Sequence, residues 1–324
     1  MNIGATLFCY GTEYARGQYD FEACVRAAYL AGAQGYEIVG SQMLPDYPNV
    51  SEEFLGRIAK LESQYGIRPV SYGANNDKGM KHNRCLTDDE MLADAIIDLK
   101  TAHQLGCKVM RAQYMLSPEA FEKLVDYAEI YDVKVGIEIH NPETPLSEKM
   151  KAYIAVIEKT KSPYLGLIPD LGCFAVKPNR PHWLRALEAG VKEEHLELAA
   201  EFKYKDIPVD EAREKLLEAG ASPTIFPALM GMYGFVQFNS KEKLPQLLAD
   251  LKEVLKYSLE IHCKFHYLDE NDVEASIPYP EIIELFKQEN YQGNLICEYE
   301  DELYCGGTAF TKQQIKMLNR LIKN

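Results

Sequence analysis

Short apolar runs alternate with longer segments whose apolar residues recur every three to four positions, and this rhythm spans most of the chain. The short runs predict strands at Ile3–Tyr10, Gly35–Val39, Arg68–Tyr72, Lys108–Gln113, Val133–Ile139, Tyr164–Asp170, Leu259–His266 and Asn294–Tyr299. The periodic segments predict helices. Asp20–Ala31 has a stripe of Phe21, Val25 and Ala28 and is closed by Gly32. Ser51–Tyr65 begins on a capping serine and carries Phe54, Ile58 and Leu61. Thr87–Leu105 ends at Gly106, and Ser117–Tyr131 starts with Pro118 at its first position. Further helices follow at Ser147–Thr160, Lys241–Tyr257, Pro280–Gln288 and Thr311–Ile322. Between Cys173 and Ser240 the rhythm breaks into helical pieces and an apolar, glycine-rich patch, Ala228–Val236.

Eight strands alternating with helices predict an α/β fold, a (β/α)8 TIM barrel formed as a single domain over residues 1–324. Such a barrel needs roughly 250 residues. The surplus lies after strand six, so a large helical or irregular insertion is expected at about 173–240, over the face where loops following strands carry function. A doubly wound, two-domain alternative is weaker, because no Gly-x-Gly-x-x-Gly follows the first strand.

Composition narrows the class of partner. With 47% hydrophobic and 26% charged residues, the 324-residue chain reads as an ordinary soluble globular protein. A net charge of −14 repels phosphate backbones, so no nucleic acid is expected. No run of roughly 20 apolar residues is present, so no membrane is expected, and Met1-Asn2-Ile3-Gly4 does not open a signal peptide. Eight cysteines without a Cys-x-x-Cys pair read as reduced, mostly buried thiols of a cytoplasmic protein.

The candidate chemistry lies where polar residues interrupt the later strands. Strand five carries Glu138, strand six ends at Asp170, strand seven holds His262, and strand eight holds Glu298. In a barrel these strand ends converge on the axis, and three carboxylates brought together repel unless a cation neutralises them. An oxygen-rich set with one imidazole and no thiolate favours Mn²⁺ or a similar divalent ion over structural zinc. Four protein ligands leave room for two substrate oxygens, which suits a chelating substrate. Taken singly, each residue has a plainer reading: a surface ion pair for Glu138, a turn for Asp170, a core histidine for His262, a solvated acidic run with Glu300, Asp301 and Glu302 for Glu298. Their joint placement on four successive strands is what points to a metal.

Strand parity turns His140, Lys264, His266 and Glu300 inward as well, one step above the expected ligands. Asn141-Pro142 ends strand five, leaving His140 at its tip. An imidazole there is a candidate general base, or alternatively a group that orients Glu138. Lys264, Glu300, Arg111 and Gln113 are the expected substrate-binding residues, with plainer alternatives for three of them: Lys264 balances Glu298, and Arg111 and Gln113 on strand four only pack. His82 and His182 read as loop residues able to line the pocket.

Glu138, Asp170, the His262-x-Lys264 element and Glu298 resemble the metal set of the xylose-isomerase-like sugar isomerase and epimerase superfamily. Within it, Glu138-Ile139-His140-Asn141-Pro142, the long stretch after Asp170 and the ending Cys297-Glu298-Tyr299-Glu300 look most like the large, α subunit of bacterial C-glycoside deglycosidases. That resemblance implies a metal-dependent lyase that cleaves 3-oxo-C-glucosides of flavonoids or related phenols. It also implies a separately encoded small β subunit, hence a hetero-oligomer. Simpler epimerases use two glutamates as acid and base, whereas here His140 stands above Glu138. The rival expectations are a ketose epimerase or aldose–ketose isomerase with the same metal, a non-catalytic sugar-binding barrel, and an endonuclease-IV-like repair barrel. Seven scattered histidines and the negative charge disfavour the last.

Overall fold

The computed structural model describes residues 1–300 and 306–324. Eight strands form its centre: β1 Asn2–Thr6, β2 Tyr36–Val39, β3 Pro69–Gly73, β4 Val109–Ala112, β5 Lys134–Ile139, β6 Leu165–Pro169, β7 Glu260–Phe265 and β8 Asn294–Tyr299. Several are buried along their whole length, as parallel strands covered on both faces must be. All neighbours pair in parallel, in the order β6-β5-β4-β3-β2-β1-β8-β7. Single bridges Leu167–Ser258 and Asp170–His262 bring β6 against β7 and close the ring. The fold is therefore the expected (β/α)8 barrel.

Apart from two single-turn pieces, Gly11–Ala15 and Gly40–Met43, the α-helices are α1 Phe21–Ala31, α2 Glu52–Tyr65, α3 Asp88–Gln104, α4 Pro118–Tyr131, α5 Glu148–Thr160, α6 Arg180–Glu188, α7 Glu193–Tyr204, α8 Val209–Glu218, α9 Phe226–Tyr233, α10 Leu244–Val254, α11 Tyr279–Gln288 and α12 Gly307–Lys323. Their starts follow local chemistry. Asp20, Ser51, Ser117 and Ser147 each accept a hydrogen bond from a first-turn amide. Thr87 and Glu90 form a reciprocal capping box on α3. Gly32 closes α1 with φ of 97°, a left-handed turn that a side chain would resist.

Two boundaries depart from the apolar pattern. The first run, expected to be one strand to Tyr10, breaks at Thr6, whose hydroxyl accepts from the Phe8 amide, and Leu7–Tyr10 winds into a 3₁₀ turn. The helix expected over Lys241–Tyr257 carries 3₁₀ turns at both ends, Lys241–Lys243 and Leu255–Tyr257. Between β6 and α10 the chain forms α6 to α9, and the apolar patch around Ala228 is the helix α9. Six cysteines are buried and Cys85 is exposed, all of them unpaired. Cys305, Asp301 and Glu302 lie outside the described residues. Among the described residues, no helix is long and apolar enough to cross a membrane.

Candidate metal centre and sugar pocket

His262 stands at the middle of the site, with no exposure, on a strand whose inward face also carries Glu260 and Lys264. Its Nδ1 lies 3.1 Å from Glu298 Oε2 and 3.3 Å from Glu138 Oε1. Its Nε2 lies 3.2 Å from Glu37 Oε2 and 3.9 Å from Glu260 Oε1. The ring thus joins two groups of possible ligands, Glu138–His262–Glu298 and Glu37–Glu260–His262, each with its donor atoms within 4.8 Å of one another.

Asp170 is set beside the first group rather than in it. Its Oδ2 is 2.7 Å from Lys264 Nζ and its Oδ1 accepts from the Gly172 amide at 2.7 Å. Lys264 Nζ also lies 2.9 Å from Glu300 Oε2 and 3.7 Å from Glu298 Oε2. The expected set of four is therefore brought together as three, with Asp170 turned to a lysine. On the other side Arg111 donates to Glu138 Oε2 at 2.9 Å and approaches Glu37 at 3.6 Å. Gly73 allows this: a Cβ there would sit 2.7 Å from Arg111 Nη2.

Electrostatics follow from these contacts. Burial opposes the charge on Glu138, but Arg111 and His262 outweigh it and hold its carboxyl well below the usual range. Burial is likewise overcome at Glu298 by Lys264 and His262, and at Glu37 by His262 and Arg111, so both carboxyls are lowered. Glu260 differs: burial, with Glu37 adding to it, pushes its carboxyl up to about 7. Lys264 resists burial because Asp170, Glu298 and Glu300 hold its ammonium well above the usual range.

Two oxygen donors and one imidazole nitrogen, buried and clustered, fit a divalent cation. The charge balance agrees. Glu37, Glu138, Asp170 and Glu298 are buried carboxylates, and the buried permanent cations among them are Arg111 and Lys264. Without an ion, burial of the His262 ring is outweighed by Glu37, Glu298 and Glu138, which hold it protonated well above its usual range, and a divalent ion would supply that positive charge instead. Of the two groups, Glu138–His262–Glu298 is the accessible one, because Glu138 and Glu298 line a cavity of about 280 Å³ while Glu37 and Glu260 have no exposure.

Arg111, Gln113, His140, Lys264 and Glu300 line the same cavity. His140 Nδ1 lies 2.9 Å from the Asn141 carbonyl, which can only accept, so that nitrogen carries the proton. Nε2 is left as the lone-pair nitrogen, 2.8 Å from Lys264 Nζ and 3.8 Å from Asp170 Oδ2. His266 turns away to the Glu300 carbonyl at 2.8 Å. His82 is exposed outside the cavity, and His182 sits in a separate crevice with Trp183.

Sequence reasoning gave no role to Glu37, which interrupts the apolar β2, or to Glu260, which opens β7 on the same parity as His262, and those placements were the available signal. It also missed the walls supplied by the first three βα loops, Phe8, Gln42, Asn75 and Asp77, which carry no pattern of their own.

Comparisons with known proteins agree with this architecture. The chain is 27% identical over 322 residues to the 3'-dehydrocarminate deglycosidase alpha subunit of Microbacterium sp., covering 92% of this chain and 88% of that one. It is 28% identical over 308 residues to a C-glycoside deglycosidase alpha subunit of Arthrobacter globiformis, covering 94% and 86%. Among solved structures, D-allulose 3-epimerase from Methylomonas sp. shares the fold at a TM-score of 0.58 and 14% identity, over 99% of this chain and 98% of that one. The 3-keto-D-glucoside 4-epimerase from E. coli does so at 0.53 and 12%, over 99% of each chain. The profile of the xylose isomerase-like TIM barrel family matches residues 25–321, and with its eight parallel strands closed around buried acids and a histidine, this chain belongs to that family.

Proposed function

We propose that this chain is the large subunit of a carbon–carbon lyase that cleaves 3-oxo-C-glucosides of flavonoids or related phenols. The observation that carries the reading is His140, which lines the same cavity as Glu138 and Glu298 and whose unprotonated Nε2 accepts from Lys264 Nζ at 2.8 Å. Similarity along the chain to alpha subunits of C-glycoside deglycosidases supports it, and supports a separately encoded small β subunit as partner.

A C–C glycosidic bond offers no oxygen to protonate, so hydrolysis by paired carboxylates does not apply. A carbonyl at sugar C3 makes the C2 proton acidic. His140 Nε2 takes that proton once Lys264 Nζ, which it accepts from in the free site, turns to a sugar oxygen. The C2–H electron pair becomes the C1–C2 double bond, and the C1–aryl pair leaves with the aromatic carbon, which then accepts a proton. The products are a 1,2-unsaturated 3-oxo sugar and the free phenol, with no water consumed. Arg111, Gln113, Lys264 and Glu300 bind the sugar hydroxyls from the cavity wall. Glu138, His262 and Glu298, with Asp170 beside them, would hold the divalent ion, and the donor set favours Mn²⁺. When bound, the ion supplies Lewis acidity to neighbouring sugar oxygens.

The test is co-purification with the small subunit, metal analysis and assay of a 3-oxo-C-glucoside. His140→Ala is expected to lower kcat by about 10²–10⁴-fold while metal content is unchanged. Near-normal cleavage removes His140 as the base. A second reading, a ketose epimerase, is favoured by the two carboxylates Glu138 and Glu298 opening on one cavity. Turnover of free ketoses without cleavage of the glucoside selects it.

A further inference from the structure

A second cavity, of about 260 Å³, opens beside the sugar pocket and shares Gln113, Glu138, His140 and Glu300 with it. Its own walls are Tyr114, Met115 and Phe235. Phe235 is 74% exposed and Met115 44%, large apolar groups at the mouth of a polar site. We propose that this cavity is the subsite for the aromatic aglycone, an inference that rests on the lyase reading above.

The loops that carry these walls are tied to the residue after the base. The Asn141 side-chain amide donates to the Phe235 carbonyl at 3.2 Å, and Gln237 Nε2 donates to the Pro142 carbonyl at 3.0 Å. From the other side the Tyr114 hydroxyl donates to the Asn141 carbonyl at 3.4 Å. The Phe235 ring meets the His140 ring edge-on at 6.0 Å between centroids. An exposed phenylalanine is thus held in register with the catalytic imidazole.

Substrate connectivity selects this cavity over its larger neighbour. His140 takes the C2 proton, and the aryl group is attached to C1, the adjacent carbon. The aglycone must therefore begin within a few bond lengths of the base. A cavity of about 510 Å³ on the β1 side, walled by Tyr14, Met43 and Tyr299, meets the sugar pocket through Phe8 and Gln42, and His140 is not among its described walls. Met115 and two aromatic rings also match a planar phenol, through sulfur–aromatic and edge-to-face contacts.

The experiment uses the metal-loaded complex with its small subunit and two substrates, the 3-oxo forms of a flavone C-glucoside and of a single-ring trihydroxyphenyl C-glucoside. Phe235→Ala is expected to raise KM for the flavone substrate about tenfold, and for the single-ring substrate less than about threefold, with kcat little changed. Phe235→Trp is expected to restore the flavone KM. The exposure of Phe235 means that its truncation leaves no core cavity. Tyr14→Ala is expected to leave both KM values unchanged. The proposal is overturned if Tyr14→Ala raises the flavone KM and Phe235→Ala does not. It is also overturned if Phe235→Ala releases the small subunit without altering KM, which assigns the ring to the subunit interface. Cleavage of neither substrate by the unaltered complex removes the lyase reading, and this inference with it.

Discussion

The two sides of His262 carry the same chemistry in different surroundings. Toward the pocket, Glu138 and Glu298 meet Nδ1 and border a cavity. Beneath it, Glu37 and Glu260 meet Nε2 with no exposure at all. A carboxylate at the cavity can exchange partners with a ligand, whereas a sealed one can only fix the ring that it touches. The lower pair therefore fixes which nitrogen faces upward, and the upper pair is the one placed to hold an ion. Within the lower pair both members feel His262 and Arg111: these outweigh burial at Glu37 and lower it, but at Glu260 burial, with Glu37 adding to it, prevails and pushes the carboxyl up to about 7.

Glu138→Gln tests the upper side and has the largest expected effect. It removes a carboxylate that borders the cavity, so Mn²⁺ affinity by calorimetry and cleavage rate both fall, the rate by ~10²–10³-fold or more. Unchanged metal binding would break the distinction between the two sides.

Arg111 bridges both sides, to Glu138 and Glu37. Arg111→Met leaves two buried carboxylates short of a cation and is expected to cost about 3–5 kcal/mol in urea unfolding of the metal-free protein. The double variant Arg111→Met with Glu138→Gln is expected to recover part of that loss, because one of the orphaned charges is gone.

Asp98 on α3 extends the contrast to a buried carboxyl outside the barrel axis. It accepts from the Tyr72 and Tyr47 hydroxyls at 2.7 and 3.1 Å, and burial pushes it up to about 6. A raised carboxyl binds its proton more tightly when folded. Its contribution is complete below the unfolded value near 4 and disappears as pH rises through about 6, amounting to about 3 kcal/mol. Asp98→Asn is expected to flatten that part of the stability profile, and an unchanged slope between pH 4 and 6 would remove Asp98 as its source.

Glu37→Gln is the mildest change and sharpens the comparison most. The ring keeps a polar neighbour but loses the charge that orients it. Metal affinity is expected to fall ~10–100-fold, with kcat recovering at saturating Mn²⁺. A loss of kcat that no metal concentration restores would place Glu37 among the groups facing substrate.

The barrel could be read from residues 1–324 because its evidence is local. Strand runs such as Val133–Ile139 and capped helices such as Ser117–Tyr131 carry their period and punctuation within a few neighbours. His140, Lys264 and Glu300 were legible as cavity residues for the same reason, since strand parity indicates which way each points, although His266 shares that parity and turns to the Glu300 carbonyl instead. Parity says nothing of which side chains meet across the axis. That Asp170 turns to Lys264, that Arg111 reaches Glu138 past Gly73, and that Glu37 grips His262 from a strand 225 positions away are products of barrel closure. Side-chain direction is a property of the strand, but partnership is a property of the closed ring, where charges distant in sequence are forced out of water together and must find one another.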